Sequence, residues 1–112
     1  MAKNGEEERV APEAMTLADM VQYQEGSIVS RTMVKKPTGT ITLFAFDKGQ
    51  ALSEHTAPFD ALVQVTEGEA DITISGLTHR LNGGQVIIMP AGQPHSVRAP
   101  GRFKMLLCMI RS

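Results

Sequence analysis

Along most of the chain, apolar and polar side chains alternate in short runs that glycine and proline cut apart. Ser27–Val34, Thr40–Phe46, Ala61–Val65, Ala70–Ile74, Leu77–Leu81, Val86–Met89, His95–Ala99 and Phe103–Ile110 read as strands, being alternating or β-branched. Turn chemistry separates them, as in Lys35-Lys36-Pro37-Thr38-Gly39, Asp47-Lys48-Gly49, Glu67-Gly68, Ser75-Gly76 and Asn82-Gly83-Gly84. No strand is read between Gly49 and Ala61, where Pro58-Phe59 falls in a loop. Short strands at this spacing predict an all-β antiparallel sandwich or barrel rather than β-α-β units.

The N-terminal part follows another grammar. Residues 1–14 are polar and aperiodic and are expected to form a mobile lead-in, with a single domain over 15–112. Thr16 with Asp19 three residues on resembles a capping box, and Leu17, Met20 and Val21 share a helical face. A short helix is therefore expected from Thr16 to Met20 or Tyr23, stopped by Gly26.

The last strand is apolar on both faces: Phe103, Met105, Leu107 and Met109 on one, Leu106, Cys108 and Ile110 on the other. Such a strand is either central to two packed layers or half of a subunit interface. A homodimer is the expected assembly.

With 112 residues, 42% hydrophobic and 21% charged, the chain is long enough for one core and has an ordinary globular composition. Only 4% is aromatic and seven methionines are present, side chains that suit an adaptable cavity as well as a plain core. A net charge of −1 and no basic run beyond Lys35-Lys36 argue against nucleic acid and anionic membrane as partners. Cys108 is the sole cysteine, so an intrachain disulfide and a cysteine zinc cluster are excluded, and a reducing cytoplasm is the expected location. Glu6-Glu7-Glu8 stands where a secretory signal needs a basic flank, and no targeting or membrane-spanning run is visible. Nucleophilic catalysis finds no support, because Cys108 lies in an apolar strand without a neighbouring base and no phosphate-cradling loop occurs.

Two spaced motifs carry a family resemblance. Gly49 is followed after five residues by His55, and after twelve more by Gly68. Gly84-Gln-Val-Ile-Ile-Met-Pro90-Ala-Gly92-Gln-Pro-His95 repeats the spacing of the second cupin signature, with Ala99 in place of its final asparagine. Residues 27–110 thus resemble a small single-domain bacterial cupin, which implies a double-stranded β-helix, a jelly-roll barrel whose mouth carries His55 and His95. Independently of the family, Gly68 and Gly84 sit where strands must reverse, and Pro90-Ala-Gly92 suits a type II turn with glycine at positive φ.

The resemblance also implies a divalent transition metal held by His-x-His, a glutamate four residues on, and the histidine of the second motif. Here the second histidine position is Ala57 and the glutamate position is Ala61, so only His55 and His95 remain. Asp60 is the neighbouring carboxylate, but one step along a strand turns a side chain to the opposite face. Glu54 and Gln64 are expected to face away for the same reason, and His79 to lie in an exposed hairpin arm. Inward parity nominates Met33, Phe44, Phe46, Val63, Val65, Met89 and Met105 as walls of a largely apolar pocket. Phe59 is either a gate at the mouth or simple loop packing. Cupins do varied chemistry, so fold does not settle function. Three readings stay open: a small-molecule binder contacting its ligand through His55 and His95, a metal-dependent oxygenase or isomerase with an incomplete site, and a dimeric scaffold.

Overall fold

A computed structural model describes residues 12–111. Nine strands form two facing antiparallel sheets: β1 (Ile28–Lys36), β2 (Gly39–Phe46), β3 (Ala51–His55), β4 (Phe59–Glu67), β5 (Glu69–Ile74), β6 (Leu77–Asn82), β7 (Val86–Met89), β8 (His95–Arg98) and β9 (Phe103–Arg111). One sheet runs β1-β2-β9-β4-β7 and the other β3-β8-β5-β6. The all-β jelly-roll barrel expected from the sequence is what the chain forms. Among the described residues no helix is long and apolar enough to cross a membrane.

Strand β9 is central to the larger sheet, its Phe103, Met105, Leu107 and Met109 face turned to the barrel interior, while on the other face Leu106 packs in an outer cluster and Ile110 is exposed. Its inner face carries Phe103, whose ring stacks on Phe46 at 4.5 Å between centroids, with Phe44 tilted against Phe46 at 6.1 Å. Val63, Val65, Ile72 and Leu81 complete this core, all buried. Gly68, at φ +82°, turns β4 into β5 so close to Phe103 that a methyl group there would collide with the Arg102 carbonyl.

Two expectations are corrected. The N-terminal helix is a single 3-10 turn, Leu17–Asp19, and the Thr16 side chain caps nothing. Local preference allows a longer helix, but tertiary contacts hold the segment instead as a strap on the outer face of the larger sheet. Val21 is buried there against Leu43 and Ala45, with Met20, Tyr23 and Met33 around it. The second correction is β3, a strand in a stretch expected to be irregular. Ala51-Leu-Ser-Glu-His55 lacks β-branched residues and pairs only with β8, at the edge of the smaller sheet. The lead-in expectation falls mostly on residues 1–11, which lie outside the described residues.

Polar contacts fasten the strap. The Tyr23 hydroxyl donates to Glu67 Oε2 at 2.7 Å, and Lys104 Nζ, beneath the strap, donates to the Ala18 carbonyl at 2.6 Å. Both Arg102 and Lys104 lie over the Tyr23 ring, at 5.1 and 4.9 Å from its centroid. Burial, and then the Glu67 carboxylate, push the Tyr23 phenol well above its ordinary value. Asp47 accepts from the Gly26 backbone N–H and from Arg102, which hold its carboxyl down at about 2.

Candidate functional site

At one end of the barrel the sheets leave a cavity of about 60 Å³, room for a few water molecules. Its walls are apolar except for two imidazoles. His55 on β3 and His95 on β8 are direct cross-strand partners, with ring centroids 4.4 Å apart and planes at 68°.

The register explains how both rings reach the same place. Leu52 pairs with Val97 and His55 with His95, so β3 spends three steps where β8 spends two. The extra residue is a β-bulge, and it restores to the inner face a histidine that strict alternation from Leu52 would turn outward. Leu52, His55, His95 and Val97 accordingly all line the cavity.

Each ring is oriented by its own backbone. His55 Nδ1 lies 2.8 Å from the Ser53 carbonyl and His95 Nδ1 3.1 Å from that of Gln93. A carbonyl only accepts, so Nδ1 carries the proton in both, and in the neutral rings Nε2 presents a lone pair. His95 is buried while His55 is exposed at the mouth.

The turn from β7 to β8 frames the opening. Gln93 N–H closes it on the Pro90 carbonyl at 3.3 Å, with Gly92 at φ +81° as the spacing required. Gly92 N–H donates to the Ala57 carbonyl at 2.9 Å, tying the turn to the loop after His55. The Asp60 carboxylate accepts from Ala91 N–H at 2.9 Å. Asp60 is thus turned out of the cavity that its neighbour Ala61 lines, a correction to its place among metal-ligand candidates that follows from strand alternation.

Of the nominated walls, Met89 and Met105 line the cavity with the two histidines. Phe44, Phe46, Val63 and Val65 face inward but belong to the solid core rather than the cavity wall. Met33 is corrected: it sits in the outer cluster under the strap, at an irregularity between Thr32 and Val34 in the pairing of β1 with β2. Leu107 and Met109 were missed, although they share a face with Met105 two and four residues earlier on β9. Phe59 lines the cavity from the start of β4. His79 is half-buried on the edge strand β6, opposite Ile72 and away from the cavity.

A resident metal does not fit this donor set. Two imidazoles with their Nδ1 protons fixed on carbonyls are well prepared ligands. Yet the cavity wall at the other two ligand positions is Ala57 and Ala61, and among the described residues no three His, Cys, Asp or Glu side chains converge.

The model of the cupin domain matches residues 42–110. The chain is a cupin. A conserved protein of unknown function from Streptococcus pyogenes is 38% identical, with 91% of this chain and 90% of that one covered at a TM-score of 0.87. A cupin 2 conserved barrel domain protein from Leptotrichia buccalis is 41% identical over 87% of this chain, with a TM-score of 0.84, but this cupin spans only 47% of that chain. A cupin superfamily protein from Desulfitobacterium hafniense is 28% identical, covering 93% of this chain and 97% of that one at a TM-score of 0.87. No curated protein matches.

Proposed function

We propose that this cupin binds a small organic molecule in its barrel, through the His55 and His95 imidazoles, without needing a resident metal. The supporting observation is the imidazole pair itself. Both rings are pre-oriented by backbone carbonyls at the head of an apolar cavity, and alanines stand where further ligands would crowd it. Such a site offers one polar grip in apolar surroundings, the usual composition of a small-ligand site. With Nδ1 on a backbone carbonyl, the Nε2 lone pair of each neutral ring is free to accept a hydrogen bond or a proton from the bound molecule.

The test is a thermal-shift screen of small metabolites against the wild type and His95→Ala. The variant is expected to fold and to lose the stabilisation that hits give the wild type, since only native-state binding raises the midpoint. Unchanged stabilisation in the variant would sink the proposal. Metal-dependent oxygenase or isomerase chemistry is the competing reading. Near-stoichiometric metal in untagged protein, lost in His55→Ala, would favour it.

A homodimer belongs to the proposal because of one feature of the larger sheet. On its outer face Val34, Ile41, Cys108, Leu62 and Ile88 are successive cross-strand partners, an apolar row across all five strands. Ile88 and the nearby Val86 and Ile110 are exposed. Ile88→Lys is expected to yield monomers in sedimentation analysis, and an unchanged mass would reject this face as the interface.

A further inference from the structure

The inner face of the larger sheet changes character along the barrel. One cross-strand row is Ile28, Phe46 and Phe103, wholly apolar. Further along come Thr32, Thr42, Leu107, Val63 and Ile87, and then Lys35, Thr40, Met109, Ala61 and Met89. The last pairing is Phe59 with Arg111. Hydroxyls and then cations therefore enter toward the end where the histidines stand.

Beyond the cavity at that end lies a groove of about 290 Å³, lined by Lys36, Thr40, Phe59, Met109 and Arg111 among others. Phe59 and Met109 also line the histidine cavity, so these two side chains are the partition between the spaces. The inner space holds only a few waters, while the groove is close to the lower limit of about 300 Å³ for small-molecule sites.

Two groups with unmet needs belong to residues that border the groove. Thr40 Oγ1 is buried with no hydrogen-bond partner among the described residues, an uncommon state for a hydroxyl. The Arg111 guanidinium stacks over the Phe59 ring at 5.2 Å and has no carboxylate partner among the described residues. Arg80 and Arg98, on the outer face of the smaller sheet, differ in this respect, because Asp71 pairs with both at 2.8 Å.

We infer that the groove is the outer half of the barrel's binding site and that the ligand is a small monocarboxylate with a narrow apolar body. Its carboxylate lies on the Arg111 fork and accepts from the Thr40 hydroxyl, which a turn about the Cα–Cβ bond brings from its buried position to the groove. Its body passes between Phe59 and Met109, with Phe59 rotating aside, toward His55 and His95. A guanidinium fork and one hydroxyl match the planar, two-oxygen carboxylate. The fork would also fit phosphate, but the apolar walls at Phe59 and Met109 favour an anion that carries an apolar body. This inference rests on the barrel being a binding site and adds the ligand's chemical class and its route of entry.

Hexanoate and hexanamide, alike in shape and different in charge, are the probes, read through the methionine methyl resonances of the 13C-labelled protein. Hexanoate is expected to shift Met109 and Met89 saturably and to bind at least about tenfold more tightly than hexanamide, as an ionised acceptor should. Arg111→Leu should remove that preference while leaving hexanamide unaffected, and the isosteric Thr40→Val should weaken hexanoate about threefold. Equal affinities, a preference that survives Arg111→Leu, or no shift at Met109 would overturn the inference. If the metabolite screen still yields neutral hits that His95→Ala abolishes, the barrel reading stands and only the carboxylate class fails. Shifts at Met109 without Met89, unaffected by His95→Ala, would overturn the joined site by making the groove a separate one.

Discussion

Supplying donors at the two alanine positions, Ala57→His with Ala61→Glu, should make this cupin's stability depend on metal. Ala61 is 5% exposed and stands between Met89 and Met109 on adjacent strands. A glutamate there has its carboxyl in an apolar cavity, where burial raises the pKa, and a rise of two units corresponds to about 2.7 kcal/mol. The sign follows from a folded-state pKa above the unfolded one. The cost is absent below about pH 4, grows as pH rises past the unfolded value, and is complete above the folded value.

At pH 7.5 the metal-free variant should therefore unfold about 10 °C or more below the wild type. A divalent ion bound by the completed set at a hundred times its dissociation constant returns about 2.7 kcal/mol, most of that loss. Thermal midpoints with EDTA and with manganese or zinc, beside elemental analysis after dialysis, measure both halves. A wild type that gained as much from the same ion would refute the missing donors as the limit on metal binding. A variant that gained nothing would refute Ala57 and Ala61 as positions aimed at His55 and His95.

Phe46→Ala removes a fully buried ring from the stack on Phe103 and should cost about 4 kcal/mol in urea unfolding, with a loss below about 1 contradicting its central place. Asp71 is held below its ordinary pKa chiefly by its hydrogen bond from Arg80, then by the charges of Arg80 and Arg98, so the stability it contributes is present above pH 3.8 and lost as pH falls through its lower folded value. Asp71→Asn should cost about 2 kcal/mol at neutral pH and flatten that acid limb, which denaturant midpoints between pH 2 and 7 would show. Tyr23→Phe loses the hydrogen bond to Glu67 and should cost about 1 kcal/mol and speed proteolysis within the strap, whereas an unchanged cleavage rate would mean that Val21 alone holds it.

Much of the barrel is legible in the chain because strand alternation is local. The two faces of β9, the hairpin of β5 and β6, and the turn at Gly92 each follow from a few consecutive residues. The strap misled because Thr16, Asp19 and the spacing of Leu17, Met20 and Val21 are equally compatible with a helix. Burial of Val21 on a sheet formed far along the chain is what selects the extended form. Met33 misled because an irregularity in pairing decides its face, and β3 went unread because its residues carry little strand preference.

By itself the sequence determined an all-β chain with glycines at its reversals, two histidines at family positions and alanines where further ligands would stand. Periodicity and backbone preference belong to neighbours in the chain, so they survive without a fold. Tertiary structure alone decided that β3 joins the smaller sheet, that a bulge turns His55 onto His95, that Asp60 serves Ala91, and that Arg111 and Thr40 share a groove with Phe59. These are relations between residues tens of positions apart. They depend on which strands pair and in which register, and only the summed burial of the whole barrel selects among the alternatives.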